Sequence, residues 1–386
     1  MIAASTDPEE ARRQYEAALR LAQEEGKTRF IGVLHNNLGQ LYQLTSRLDQ
    51  AIEHYQQAIE VSKQADNQPL VASATNNLAY VYRLQGDLAQ ADVLCRVALA
   101  QRKRLGMERH LAYSYLTKGE IDRDKGDLES AERYTKLALR SFDKVSEIGG
   151  QVMAYRSLAN IRRHLEQYEE AEIYLEQGVA LAEQLRDEPL LADLLNVYGR
   201  EQRDCAVYLQ EAGGDDSLEA VVAFFQRAEG YLERSLELAA RYGDQWLITR
   251  GQFELALTYF LSGSRPEDHV IDLLGQVWEG ASRLGDRLLQ GYVEETRGEI
   301  AQRQQDYATA ARHFGRAAQL IAQRRGREPE RFLDRLGDRL LNPNLSHEDT
   351  RTLARGVLDV IGESAGVESL QSLQMLCQQV LDLPAL

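Results

Sequence analysis

The chain has 386 residues, 44% of them hydrophobic and 27% charged, with 7 prolines. This is globular protein of two or three domains' length, not a disordered tail, and so little proline predicts helix nearly throughout. Lys and Arg number 45 against 60 Asp and Glu, a formal net charge of −15, which argues against a general nucleic-acid coat or an anionic-membrane binder and leaves room only for a local basic patch.

The first predicted helix opens at Asp7-Pro8-Glu9-Glu10, with proline at the first helical position and acids in the first turn, and carries Ala11, Tyr15 and Ala18 on one face. No basic region or apolar core precedes it, so the N-terminus does not read as a signal peptide. The next segments pair up. His35, Leu38 and Tyr42 recur at helical spacing, then Ala51, Tyr55 and Ala58 do so. The same two-helix unit returns as Leu78-Ala79…Tyr82 with Ala91…Cys95…Ala98. It returns again with Ala131…Thr135…Ala138, and as Leu158-Ala159 with Ala171…Leu175…Gly178. The leading alanines fall at 51, 91, 131 and 171, a step of 40 residues without drift. Between the helices lie the turns Thr45-Ser46-Arg47-Leu48-Asp49, Gln85-Gly86-Asp87 and Lys125-Gly126-Asp127. Glycine there supplies a left-handed residue ending the first helix, and aspartate caps the second.

Further units follow with departures. The unit from Tyr198-Gly199 to Ala228 is longer, with added helix near 203–227 and a loop at Glu211-Ala212-Gly213-Gly214-Asp215-Asp216-Ser217. The next runs Leu255-Ala256…Tyr259, a turn at Ser264-Arg265-Pro266, then Leu274…Trp278…Ala281. The last is Gly298…Ala310…Phe314…Ala317. After Arg325 the period stops. Pro329, Asn342-Pro343-Asn344 and Gly362…Gly366 punctuate two or three more helices, one starting at Ser346-His347-Glu348-Asp349. The expected division is a repeat region over 1–325 and a helical cap or partner-binding appendage over 326–386.

The pattern resembles the tetratricopeptide repeat in its 40-residue form, as found in kinesin light chains and in bacterial sensors and peptide receptors. Asn36-Asn37-Leu38-Gly39 and Asn76-Asn77-Leu78-Ala79 look most like it. The resemblance implies an all-α, right-handed superhelical solenoid of about eight helix pairs. It also implies that first helices line the concave side, with family slots 2, 5, 9 and 12 turned to a ligand. Carried onto this chain, slot 12 holds Arg83, Arg123, Arg163 and Arg203, and slot 5 holds Asn36, Asn76, Arg156 and Asn196. Slot 9 adds Tyr80, Asn160 and Arg200, and slot 2 adds Tyr113. Asn amides can hold an extended backbone as donor and acceptor together, and guanidinium groups fork carboxylates or phosphates. Basic residues here are mostly Arg, with only seven Lys. The opposing reading pairs the same arginines with Asp124, Asp204 and Glu120. Lys118, Asp122 and Arg162 stand where the family is apolar. A pair of Asp122 with Lys118 or Arg162 would bury an ion pair between the fourth and fifth units.

The expected function is a non-enzymatic scaffold, adaptor or signalling sensor. It would hold an acidic or extended peptide segment, or a C-terminal carboxylate, of a protein partner. RNA or a phosphorylated ligand in the same groove, or a role as regulatory subunit of an enzyme complex, is the alternative. With the repeats starting at Asp7-Pro8, any separate output is expected from the C-terminal residues or from another chain. No catalytic signature stands out: Gly26-Lys27-Thr28 has Leu21 where a phosphate-binding loop needs glycine. The seven histidines form no i, i+4 pair, and Cys95, Cys205 and Cys377 form no CxxC. No cofactor and no metal are expected. No run of about 18 apolar residues predicts a membrane span, and a cytoplasmic location is expected.

Overall fold

The computed structural model describes residues 8–45, 47–212, 217–322, 328–342, 344–362 and 368–382. Among these there are eighteen helices and no strand. The chain falls into two compact units, Met1–Gly251 and Gln252–Leu386.

The first unit begins with α1 (Pro8–Glu24). Helix pairs follow as α2 (Thr28–Leu44) with α3 (Leu48–Gln64), α4 (Gln68–Gln85) with α5 (Leu88–Arg104), and α6 (Glu108–Asp124) with α7 (Leu128–Lys144). Then come α8 (Ile148–His164) with α9 (Tyr168–Leu185), and α10 (Glu188–Ala212) with α11 (Ser217–Tyr242). α12 (Gln245–Ser262) carries the division between the units.

Small residues let each pair close. A Cβ on Gly39 would lie 2.8 Å from the Tyr55 ring. The alanines at 51, 91, 131 and 171 are fully buried. Packing of this kind, not helix propensity, holds such short helices. The turns repeat every 20 residues: Gly26, Asp66, Gly86, Gly106, Gly126, Ser146, Glu166 and Arg186 all take the left-handed conformation, with φ from 48° to 85°. Ser46, the remaining member of that series, lies outside the described residues. The residue after each turn begins the next helix. Asn67, Asp87, Asp127 and Asp187 accept backbone N–H groups from Leu70, Gln90, Ser130 and Leu190. One turn residue thus ends a helix and its neighbour caps the next.

First helices touch first helices of the next pair: α2 meets α4, α4 meets α6, α6 meets α8, and α8 meets α10. That sets them on the inner side of the curve within this unit. α10 has 25 residues and α11 26, against 17 or 18 in the pairs before them, which is the predicted lengthening. Gly213-Gly214-Asp215-Asp216 of the predicted loop lie outside the described residues.

The second unit holds α13 (Glu267–Leu284), α14 (Arg287–Arg303), α15 (Tyr307–Ala322), α16 (Glu328–Leu340), α17 (His347–Ile361) and α18 (Glu368–Asp382). α14 and α15 form the last repeat-like pair, with Phe314 against Gly298. α17 lies along α15, where Gly356 and Gly315 bring the backbones close, and α16 and α18 complete a core of Phe332, Leu336, Leu353, Leu370 and Cys377. Ser346 caps α17 by accepting from the Asp349 N–H at 3.1 Å. These three helices cover the apolar face that α15 would otherwise leave bare.

Candidate binding groove

The inner helices α4, α6, α8 and α10 carry nearly all the polar residues singled out above, and Asn36 lies on α2. None of them is fully exposed. Asn36, Asn76, Asn196 and Arg203 are buried, and the others are partly covered. Their partners come mostly from the neighbouring repeat, 36 to 41 positions away.

The amides are held first. Asn77 donates from Nδ2 to Asn36 Oδ1 at 3.1 Å. Asn76 donates to Thr117 Oγ1 at 3.3 Å and accepts from Ser114 Oγ at 2.7 Å. An amide has two donor hydrogens and two acceptor pairs, so Asn76 keeps one of each. Asn160 donates to the Arg156 carbonyl at 3.0 Å. Asn196 Nδ2 is buried with no hydrogen-bond acceptor among the described residues.

The arginines are joined through aspartates, not exposed as a bare row. Asp124 accepts from Arg83 Nη1 at 2.7 Å and from Arg123 Nη2 at 2.7 Å. Two repeats later, Asp204 accepts from Arg163 Nη1 at 2.7 Å and from Arg203 Nη2 at 2.9 Å. Glu120 lies 3.5 Å from Arg83 and 3.9 Å from Arg156, and Arg156 also binds Asp193. Burial opposes charge on both Asp124 and Asp204. The guanidinium pairs outweigh it and hold both carboxyls below their ordinary range. Arg200 stands close enough to Asp204 to add to that effect. The Arg83 guanidinium also lies 4.6 Å from the centre of the Tyr80 ring. Tyr113 turns away from this set to meet the Phe142 ring edge-on at 4.8 Å.

Of the two expected partners Asp122 takes Lys118, but the buried pair joins other units than expected and Arg162 is not part of it. Asp122 pairs with Lys118 of its own helix, and Asp92 of α5 lies 3.2 Å from the same ammonium, so the buried pair ties the third unit to the fourth. Arg162 goes elsewhere, to Glu132 and to Glu170 at 3.0 Å. The reason is reach: Lys118 and Asp122 are one turn apart on α6. Sequence reasoning also missed Ser114, Thr117 and Glu201. Glu201 is buried beside Gln202, which donates to it at 2.8 Å, and burial pushes its carboxyl up to about 7. The described residues contain no cluster of metal-ligating side chains, and no described helix is long and apolar enough to cross a membrane.

Residues 1–64 and 70–144 match one tetratricopeptide-repeat family model, and residues 154–189 match another. No curated protein matches the chain. Among solved structures, the human IFIT1 dimer with m7Gppp-AAAA is similar at 14% identity over 95% of this chain and 80% of that one, with a TM-score of 0.57. A Rap protein complexed with Competence and Sporulation Factor is similar at 14% identity over 96% and 98%, with a TM-score of 0.53. A signal-transduction ATPase with a tetratricopeptide repeat sensor, from Pyrococcus horikoshii, matches at 14% over 92% and 52%, with a TM-score of 0.50. At these identities the likeness is one of fold. With a 40-residue register, paired helices and these matches, residues 1–64, 70–144 and 154–189 are tetratricopeptide repeats.

Proposed function

We propose that the chain is a non-enzymatic protein-binding scaffold or sensor whose inner wall, α2 to α10, holds an extended segment of a protein partner. The observation that supports this reading is the pinned but unsaturated Asn76 amide, which keeps a donor and an acceptor while its plane is fixed by Ser114 and Thr117. A preset amide lowers the ordering cost of holding a peptide backbone. The arginines supply the preference for acidic segments. Arg163 is partly exposed and donates to Asp204 from Nη1 alone, which leaves donor capacity over. Relatives of the same fold were solved with Competence and Sporulation Factor and with m7Gppp-AAAA. The net charge of −15 and the carboxylates threaded among the arginines favour the peptide over a polyanion.

The test is an array of extended peptides, acidic and amide-substituted, probed with the full chain and with Arg123→Gln/Arg163→Gln. Circular dichroism and a thermal melt establish that the variant is folded. Acidic peptides should bind the parent and lose at least about tenfold in the variant, the cost of two charge-assisted bonds. Equal binding by both chains would remove the inner wall from the argument. Preferential binding of a capped oligonucleotide, falling steeply with salt, would favour the nucleic-acid reading.

A further inference from the structure

Eleven residues after each leading alanine, the second helix of a repeat buries one side chain against the next repeat. That position holds Ser62, Arg102, Phe142 and Ala182, with exposures of 1%, 3%, 0% and 1%. Three are neutral. The fourth is a guanidinium, which cannot shed its proton at any ordinary pH.

Arg102 Nη1 donates to the His110 carbonyl and to Ser114 Oγ, both at 2.6 Å. Its Nε is buried with no hydrogen-bond acceptor. Among the described residues no carboxylate lies within 4.0 Å of it. Asp92 and Asp122, which share the surroundings of Cys95 with Arg102, are committed to Lys118. The carbonyl end of α5 offers only about half a negative charge, and Lys103 and Arg104 in the same turn share it. A buried cation without a counter-charge is costly in any fold. Burial pulls the Arg102 pKa down to about 10, and the Cys95 thiol nearby only partly offsets that, so the group remains cationic.

The missing negative charge must be small. At 3% exposure the site has no opening for a peptide carboxylate or a phosphate ester. We propose that the α5–α6 interface holds a single halide-sized monovalent anion against Arg102. The anion takes the guanidinium donors that His110 and Ser114 leave over. It sits behind the inner wall, where Ser114 Oγ accepts from Arg102 and donates to Asn76, so that Arg102 is two hydrogen bonds from that amide. This site stands apart from the peptide-binding reading and does not depend on it.

The experiment compares thermal unfolding of the full chain in sodium chloride and in sodium gluconate at equal ionic strength and pH. A ligand that binds only the folded state raises Tm with the logarithm of its concentration. The expected result is a Tm several degrees higher in chloride, a gap that closes in Arg102→Met. Phe142 at the equivalent position shows that an apolar side chain suits the slot. Crystals soaked in bromide should show an anomalous peak beside Arg102. Equal Tm values in the two salts, or a chloride effect that survives in the variant, would overturn the proposal. So would bromide-soaked crystals with no peak at Arg102, a readout that holds even if the variant does not fold.

Discussion

His35 and His54 meet Nδ1 to Nδ1 at 2.9 Å across the α2–α3 interface, with the Tyr42 ring stacked on His54. One nitrogen must donate and the other accept, so the pair holds one proton between the rings and not two. Burial, and then the neighbouring imidazole, push His35 down to about 4, and burial lowers His54 against the pull of Glu53 and Glu16. The folded state therefore binds fewer protons than the unfolded chain between the ordinary histidine range and pH 4. Stability present at neutral pH is lost as pH falls through that window. The drop from pH 7 to pH 5 should be about 2 kcal/mol from His35 alone. Urea titrations at both pH values check it. His35→Gln should flatten the acid arm, and an unchanged slope would count against the pair.

Glu201 has the opposite sign. Its carboxyl is raised to about 7 by burial, so the folded state holds a proton that the unfolded chain releases at lower pH. That contribution is complete below the ordinary glutamate range and is lost as pH rises through 7. The expected loss from pH 5 to pH 8 is about 2 kcal/mol. Glu201→Gln keeps the shape, removes the slope and should be the more stable protein at pH 8. With both groups intact the two windows overlap and their slopes largely cancel between about pH 5 and 7, so each effect is read most cleanly in the variant that removes the other.

The register was legible because backbone crossings demand small residues, and the alanines at 51, 91, 131 and 171 mark each crossing. The turns were legible for a similar local reason. A left-handed residue followed by an Asx cap is written in adjacent letters, and Asp66, Ser146, Glu166 and Arg186 show that the fold imposes that conformation even without glycine. Partner choice across repeats was not. The Lys118–Asp122 pair could be named from its one-turn spacing, but Asp92 as the second partner of that ammonium depends on side-chain reach in three dimensions. The inner wall was named from the resemblance, slot by slot. That Asp124 and Asp204 each bridge two arginines depends on a 41-residue offset between side chains that no local pattern displays. The packing of α16 to α18 has no period to read.

Asp124 is the bridge whose removal should be most informative. Asp124→Asn leaves Arg123 without its carboxylate and Arg83 with Glu120 alone, 3.5 Å away. Breaking one side of a buried pair costs about 3 kcal/mol. Arg123→Met in the same background should recover part of the loss, since it removes the stranded charge. Double-mutant cycles by chemical denaturation measure the coupling. If Asp124→Asn is neutral, the cluster is wetter than its geometry indicates.

Gly149 and Gly150 are neighbours in the first turn of α8 and should respond oppositely to the same change. A Cβ on Gly150 would lie 2.3 Å from the Phe142 ring, which is fully buried in the α7–α8 contact. Neither the ring nor the helix can yield that far, so Gly150→Ala should destabilise by about 2 kcal/mol. Gly149 faces nothing nearer than Glu147 Oε1 at 4.0 Å. There alanine brings only its better helix propensity and a stiffer unfolded chain, a gain of roughly 0.5 kcal/mol. Shrinking the obstacle with Phe142→Leu should relieve much of the Gly150→Ala penalty and none of the Gly149→Ala gain. Thermal melts of the six proteins decide the matter, and a Gly150→Ala variant as stable as its parent would mean that α7 and α8 pack more loosely than the Phe142 contact shows.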